Sequence, residues 1–395
     1  MARALTRAFD RFLAPPRLRT MQADDEEDRR ATWLELFFDL VFVAAVAQAS
    51  YLLTDHLTVS RLFGYLGVFV AIWWAWMGFT FYANRFDTDD LVYRMLVLLA
   101  MLALAALAVN TRHAVGGSSS GFALSYIAVR LVLLALYARA RRHVEGARRL
   151  TTIFLTMFGA AVLVWCGSLL VERPLRYWVW GCALTLELAA PLFAWRALPN
   201  APIHPRHIPE RFGLLVIIVL GESVFAVVIG TADVSWHAAT VAAAVAGFAA
   251  AASLWWIYFE FLDESVVQRG RVAGLTFTYS NYLVISGLAL LGTGVKLAIL
   301  STGPGTRYDH VGWIIAAGAV LTMVGLAIVQ LATPPTLFDV DVGLRLTTAA
   351  LAFALAFAYR ALSPVAILAV LAAALVVQLV YELAQHEGHR AVAAD

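Results

Sequence analysis

The chain has 395 residues, of which 62% are hydrophobic and only 14% are charged, and its mean hydropathy is +0.77. This composition lies far outside the range of soluble globular proteins and excludes that class. The formal net charge of +2 gives no indication of a nucleic-acid partner, and the composition identifies the lipid bilayer as the surroundings of the chain.

Apolar segments long enough to cross a bilayer recur along the chain. A hydrocarbon core about 30 Å thick requires about 20 residues of helix. We therefore predict an all-α polytopic membrane protein with about twelve transmembrane helices, at residues 33–53, 62–83, 91–109, 121–140, 149–171, 176–196, 211–231, 237–262, 274–300, 311–332, 343–360 and 363–382. Only Leu362-Ser363-Pro364 separates the last two segments.

The predicted domain organisation has four parts. Residues 1–30 form a cytoplasmic tail with basic and acidic stretches, residues 31–200 a first six-helix transmembrane repeat, residues 201–385 a second such repeat, and residues 386–395 a short cytoplasmic tail. The first tail has no apolar core of the kind found in a signal peptide. It is expected to be a solvated disordered segment, with a short interfacial helix ending at Pro15-Pro16 as the alternative.

The distribution of arginine predicts the orientation in the membrane. Cytoplasmic loops of membrane proteins are enriched in Lys and Arg. Arginines are concentrated before the first span and after the fourth and sixth spans, whereas the odd-numbered loops hold only scattered cations. Because the number of spans is even, both termini are expected in the cytoplasm.

The two halves of the chain share a pattern that indicates internal duplication. A shift of about 183 residues places Asp39 on Glu222, Val41 on Val224, Phe42 on Phe225 and Trp73 on Trp256. In each half, a span with an acidic residue precedes a span that ends in an aromatic cluster. Two six-helix repeats of the same orientation are the simplest account, and substrate sites in repeat-built transporters lie near the midplane between the repeats. Most of the twelve tryptophans are interpreted as interfacial belts.

Carboxylates inside the predicted spans are the strongest indication of function. A charged side chain at the bilayer centre costs at least about 2.5 kcal/mol on insertion scales, so such groups usually face a partner, a cavity or an ion path. Glu35 and Asp39 are four residues apart and share one face of the first helix. Glu35 lies close enough to the cytoplasmic end to be hydrated. Asp39 lies about 9 Å deeper than Trp33 and is the better candidate for a proton site.

The second half carries its acid at Glu222, in the middle of the seventh span. Arg211 lies near the start of that span, about 16 Å from Glu222 along the helix axis, so the two cannot pair directly. Gly221 and Ser223 flank the acid and are expected to permit close helix packing or a local break in the helix.

Two further charges lie deep in the first half, Arg130 near the centre of the fourth span and Glu187 near the centre of the sixth. Three deep acids against one deep base predict that at least one carboxylate is protonated or faces water, as a proton site requires. The alternative is a structural salt bridge, in which Arg130 pairs with one acid and holds helices together without transport.

The sequence predicts neither a metal site nor a cofactor. The segments His204-Pro205-Arg206-His207 and His386-Glu387-Gly388-His389 lack the helical spacing and the partner acids of a zinc site. Cys166 and Cys182 fall within predicted spans, where a free cysteine behaves as a small hydrophobic residue.

Two segments carry a family resemblance. The run Trp33 to Val43 (WLELFFDLVFV) and the run His207 to Gly213 (HIPERFG), which leads into Val219 to Ser223 (VLGES), resemble the most characteristic segments of the bacterial low temperature requirement protein A family. The resemblance covers nearly the whole chain from residue 30. It implies a multi-span bacterial inner-membrane protein linked by name to growth in the cold, and it supplies no catalytic residue.

These observations favour a proton-linked transporter or an ion-conducting protein that acts on protons, small ions or a small-molecule substrate. Asp39 and Glu222 would be pseudo-equivalent carboxylates, Arg130 a counter-charge or anion contact, and Glu187 a relay. One alternative is a membrane-embedded enzyme that acts on a lipid or prenyl substrate with buried acids as general acid and base. The other is a non-catalytic membrane protein for cold adaptation.

Overall fold

The computed structural model of the chain describes residues 15–19, 32–53, 58–87, 89–204, 206–261, 267, 269–303, 310–332 and 340–394, with side chains for all of these except Asp87, Phe261 and residues 386–394. The histidine pair of residues 386–389 and most of the predicted N-terminal tail therefore lie outside the described side chains.

Twelve long α-helices account for most of the described residues, in agreement with the predicted all-α polytopic fold. They are α1 (Trp33–Ser50), α2 (Val59–Arg85), α3 (Leu91–Thr111), α4 (Ser119–His143), α5 (Arg148–Ser168), α6 (Leu175–Phe193), α7 (His207–Ala232), α8 (Ala238–Phe261), α9 (Arg271–Leu300), α10 (Val311–Leu331), α11 (Val340–Phe357) and α12 (Pro364–Ala394). The described part also contains one pair of very short antiparallel strands, β1 (Arg17–Leu18) and β2 (Phe86–Asp87).

Eleven of these helices are long and apolar enough to cross a membrane, which makes the chain a multi-span membrane protein in a lipid bilayer. The helix outside this set is α6, which corresponds to the predicted sixth span. It has 19 residues but carries Arg176, Glu187 and Pro191, so its mean hydropathy is lower.

The described residues fall into two compact units. Unit 1 lies within Met1–Leu52 and Val59–Arg211, and unit 2 lies within Leu53–Thr58 and Phe212–Asp395. The boundary between the units lies between Arg211 and Phe212, so the first turn of α7 belongs to unit 1 and the rest of the helix to unit 2.

Unit 1 has an aromatic core. Helix α1 packs against α2 and α3, the helices from α3 to α6 each pack against the next, and α2 also contacts α4 and α6. The largest fully buried aromatic side chains of this unit are Trp73, Trp76, Trp165, Tyr65, Tyr82, Tyr126, Tyr137, Phe42 and Phe69. These three tryptophans are therefore core residues and not part of the interfacial belt predicted for most of the tryptophans.

Residues 15–19 pack against unit 1 as an extended segment. β1 pairs with β2, and the Arg19 backbone N–H donates to the Arg85 carbonyl oxygen over 3.1 Å. Pro16 is buried. Residues 15–19 are therefore packed and not solvated, because the end of α2 offers backbone partners that the sequence does not reveal. The alternative helix that would end at Pro15-Pro16 lies outside the described residues.

In unit 2, glycines allow α9 and α10 to approach at backbone distance. A Cβ built at Gly318 would lie 2.6 Å from the Leu291 backbone nitrogen and 2.8 Å from the Gly287 carbonyl oxygen. Gly294 of α9 faces Ile315 of α10 in the same way. Close approach through small residues is a common mode of helix packing in membranes, where lipid provides no hydrophobic driving force between helices.

The change Gly318→Ala is expected to destabilise the protein by about 1–3 kcal/mol, because the added methyl group meets backbone atoms that can move only with the helix. Thermal unfolding of the detergent-purified protein measures this effect. Gly159→Ala in α5 is the matched control, since a Cβ there meets nothing within 4 Å. Equal melting temperatures for the two variants would contradict the predicted close packing.

Candidate functional site

The first turn of α1 fixes the position of Glu35. The Thr32 hydroxyl oxygen accepts the Glu35 backbone N–H over 3.3 Å, and Glu35 Oε2 accepts the Thr32 backbone N–H over 2.8 Å. This reciprocal pair is a capping box, which satisfies two helix-terminal donors at once. Glu35 is only 7% exposed, so the expectation of a hydrated side chain was wrong.

One turn further along α1, Asp39 is completely buried and accepts two hydrogen bonds on the same oxygen. The Trp76 indole N–H of α2 and an Arg211 guanidinium N–H of α7 each donate to Asp39 Oδ1 over 2.7 Å. The Arg211 guanidinium also lies over the Trp76 ring, 5.8 Å from its centroid. Hydrogen bonds between ionised partners are stronger than neutral ones, so Asp39 and Arg211 form a strong buried ion pair.

His207 in the first turn of α7 lies between Glu35 and Glu210. Its Nε2 lies 3.5 Å from Glu35 Oε1, and its Nδ1 lies 3.2 Å from Glu210 Oε2. The His207 side chain is 1% exposed, whereas the Glu210 side chain is 35% exposed. Residues three and four apart share a helix face, which places His207, Glu210 and Arg211 on one side of α7. We call Glu35, Asp39, His207, Glu210 and Arg211 the α1–α7 cluster.

Arg130 and Glu187 form a second buried ion pair in unit 1. Arg130 Nη2 lies 2.5 Å from Glu187 Oε2, and the Tyr126 hydroxyl donates to the same oxygen over 2.6 Å. Both charged side chains are completely buried, and the Arg130 guanidinium lies 4.7 Å from the Phe158 ring centroid. Because Arg211 neutralises Asp39, the count of a single deep base was wrong. The structure pairs both deep acids of this unit.

Glu222 lies in different surroundings from Asp39. It is half-buried in the middle of α7, and the positive charge of Lys296 on α9 attracts its carboxylate electrostatically. The helix continues unbroken through Gly221, where an added Cβ would meet nothing within 4 Å. Close packing occurs instead at Ser223, whose Cα would lie 3.1 Å from a Cβ at Gly292. Of the two alternatives predicted beside Glu222, the structure therefore shows close packing, at Ser223, and not a local break in the helix.

A polar network in unit 2 was missed by the sequence analysis. Arg345 of α11 and Glu382 of α12 are both completely buried and lie 3.8 Å apart. The Gln378 amide donates to Glu382 Oε1 over 2.7 Å, and the Thr348 hydroxyl donates to Gln378 Oε1 over 2.5 Å. Both charges fall at the edges of predicted spans, where charged side chains are ordinary, so the sequence gives no signal of their burial.

Within the described part of the chain, no group of three or more His, Cys, Asp or Glu side chains is arranged to hold a metal ion.

The sequence analysis did not predict two residues of the site around Asp39, Trp76 and His207. The available signal for His207 was its position in the characteristic segment HIPERFG, next to Arg211.

The change Trp76→Phe is expected to destabilise the protein by about 1.5–3 kcal/mol, because it removes an N–H donor to a buried carboxylate. Thermal unfolding in detergent measures the loss. The control is Trp178→Phe in α6, whose side chain is 75% exposed. A Trp76→Phe protein as stable as this control would show that the hydrogen bond to Asp39 contributes little.

Comparison with known proteins assigns the sequence to a family. Over 296 residues, the chain is 27% identical to an uncharacterized protein of Rhizobium meliloti (strain 1021), and the match covers 71% of this chain and 72% of that protein. The family model for the bacterial low temperature requirement A protein (LtrA) matches residues 30–380, a range that contains the whole α1–α7 cluster. Because this match spans most of the sequence, the chain belongs to the bacterial low temperature requirement A protein family.

Proposed function

We propose that the protein is a proton-linked transporter or ion-conducting protein of a bacterial inner membrane, with Asp39 as its proton acceptor. The observation that carries the proposal is a completely buried carboxylate inside a membrane-length helix, paired with an arginine and adjoined by further titratable groups. Ionisable residues at such positions are costly and commonly mark ion or substrate pathways.

The α1–α7 cluster supplies a route for protons between Asp39 and the surface. Histidine exchanges protons readily near neutral pH, and its two ring nitrogens alternate between donor and acceptor. His207 has a carboxylate beside each nitrogen, Glu35 on one side and half-exposed Glu210 on the other. A proton taken from Glu210 at Nδ1 can be matched by release of the Nε2 proton to Glu35, which lies one helical turn from Asp39.

The other candidate residues receive different roles in this proposal. Arg130 and Glu187 neutralise each other's charge and join α4 to α6, so we assign them a structural role in place of counter-charge and relay. Glu222 remains the candidate carboxylate of unit 2, with Gly221 and Ser223 as its neighbours and Lys296 as its cation.

The proposed two-repeat organisation is supported by matching helix neighbours. In unit 1, α1 packs on α3, α2 on α6, and the helices from α3 to α6 each on the next. In unit 2, α8 packs on α12 and the helices from α9 to α12 each on the next. Helices α7 and α9 meet at Ser223 and Gly292. These shared neighbours are the ones that duplication of a six-helix unit would produce.

Proton flux in liposomes tests the proposal. The purified protein is reconstituted into vesicles that contain a pH-sensitive dye, and a valinomycin-induced potassium potential drives protons inward. Parallel vesicles receive the small-molecule filtrate of a bacterial lysate, since a carrier requires its substrate. We expect flux in at least one condition for the wild type and flux at the level of protein-free vesicles for Asp39→Asn.

Glu145→Gln is the matched control for this assay, because Glu145 is an exposed carboxylate outside the cluster that pairs only at the surface with Arg148. The Glu145→Gln protein should show the same proton flux as the wild type. Absence of flux in both conditions from folded wild-type protein, or equal flux in wild type and Asp39→Asn, would contradict the proposal.

A further inference from the structure

Arg211 and Trp76, which both donate hydrogen bonds to Asp39, have the chemistry to bind other anions as well. An arginine guanidinium carries a positive charge and has five N–H donors in a planar fork. One of these donors is used by Asp39, and the Nε and Nη1 atoms have no hydrogen-bond partner among the described residues. The Trp76 indole N–H converges on the same oxygen.

The charge balance of this site depends on Asp39. When Asp39 takes up a proton, Arg211 becomes a buried cation without its counter-charge, which is a highly unfavourable state. The other titratable groups that face the pair are Glu35 of α1 and His207 of α7. Glu35 is already engaged, since its Oε2 accepts from the Thr32 backbone and hydroxyl and its Oε1 faces His207.

We propose that Arg211 and Trp76 bind a small monovalent oxyanion, such as a carboxylate, once Asp39 is protonated. This inference rests on the proposed proton site and names the substrate class of the transporter. The planar Arg211 fork matches a carboxylate group, and Trp76 supplies a further donor beside it. One proton on Asp39 and one anion on Arg211 enter together, so the loaded site has the same net charge as the empty one.

The variant Asp39→Asn imitates the protonated state and provides the test. Formate is the probe, because it is the smallest carboxylate and stays ionised across the assay range. We expect formate to raise the melting temperature of Asp39→Asn by several degrees in a saturable manner. The double variant Asp39→Asn with Arg211→Gln restores the charge balance, and it should be stable without formate and unresponsive to it.

Wild-type protein provides a second measurement that requires no variant to fold. Because one proton accompanies each anion, the affinity for labelled formate should increase by about tenfold for each unit of falling pH while Asp39 is ionised. Affinity that does not change with pH would overturn the proposal, as would equal formate responses in Asp39→Asn and the double variant.

Poor folding of Asp39→Asn is also informative. Recovery of the variant when formate is present during extraction supports an anion site at Arg211. Failure to recover it with formate, while the double variant folds, overturns the site. The liposome assay separates the two proposals, because proton flux that depends on Asp39 without any formate binding would preserve the transporter and reject the anion as its substrate class.

Discussion

The change Glu187→Gln is expected to destabilise the protein by about 3–5 kcal/mol, among the largest losses for a single substitution in this chain. It leaves the Arg130 guanidinium completely buried without a carboxylate partner. Arginine cannot lose its proton in a protein, so the uncompensated charge has no means of neutralisation. Chemical or thermal unfolding of the purified protein measures the loss, and the yield of folded protein from membranes should fall with it.

Arg130→Met is the matched comparison, and a smaller loss is expected from it. The carboxylate left behind can bind a proton and become neutral, and the Tyr126 hydroxyl still donates to it. A larger loss for Arg130→Met than for Glu187→Gln would show that packing of the arginine side chain, next to Phe158 and Gly78, outweighs the charge argument.

The helices could be predicted from sequence because only a helix satisfies its own backbone hydrogen bonds in lipid, so each apolar segment of membrane length has one available structure. The same reasoning explains the errors at helix ends. Helix α7 begins at His207, four residues before the predicted span, because its polar first turn packs into the α1–α7 cluster. Helix α12 continues to Ala394, well past the predicted end at residue 382, since a helix does not require lipid once it has started.

The candidate site could be predicted only in part. The burial of Asp39 followed from its place in an apolar run, but its partner Arg211 is 172 residues away in sequence, and no local spacing relates the two. For Arg130, pairing with one of the deep acids was among the predictions, whereas the choice of Glu187 as its partner depends on how α4 and α6 pack. The hydrogen bond from Trp76 to Asp39 was not predicted, because hydropathy does not show whether a tryptophan is buried in the protein or lies at the membrane interface.

Three of the buried arginine–carboxylate pairs should respond differently to replacement by apolar residues. Substituting both members of a buried pair with apolar residues is often neutral or stabilising, whereas removing one member is costly. We therefore expect the double variants Arg130→Met with Glu187→Met, and Arg345→Met with Glu382→Met, to fold and to retain proton flux. The double variant Asp39→Leu with Arg211→Met should also fold, yet its flux should fall to the level of protein-free vesicles.

The two pairs of unit 1 are closely matched for this comparison. Each replacement removes two buried charges and leaves one aromatic donor without its acceptor, Trp76 beside Asp39 and Tyr126 beside Glu187, at a similar cost of about 1–3 kcal/mol. If the two double variants are equally stable, a difference in proton flux between them must come from the part that the replaced pair takes in transport. If the variant without Asp39 and Arg211 retains its proton flux, that pair is structural like the other two. If all three double variants lose their flux, transport requires buried charges in both units.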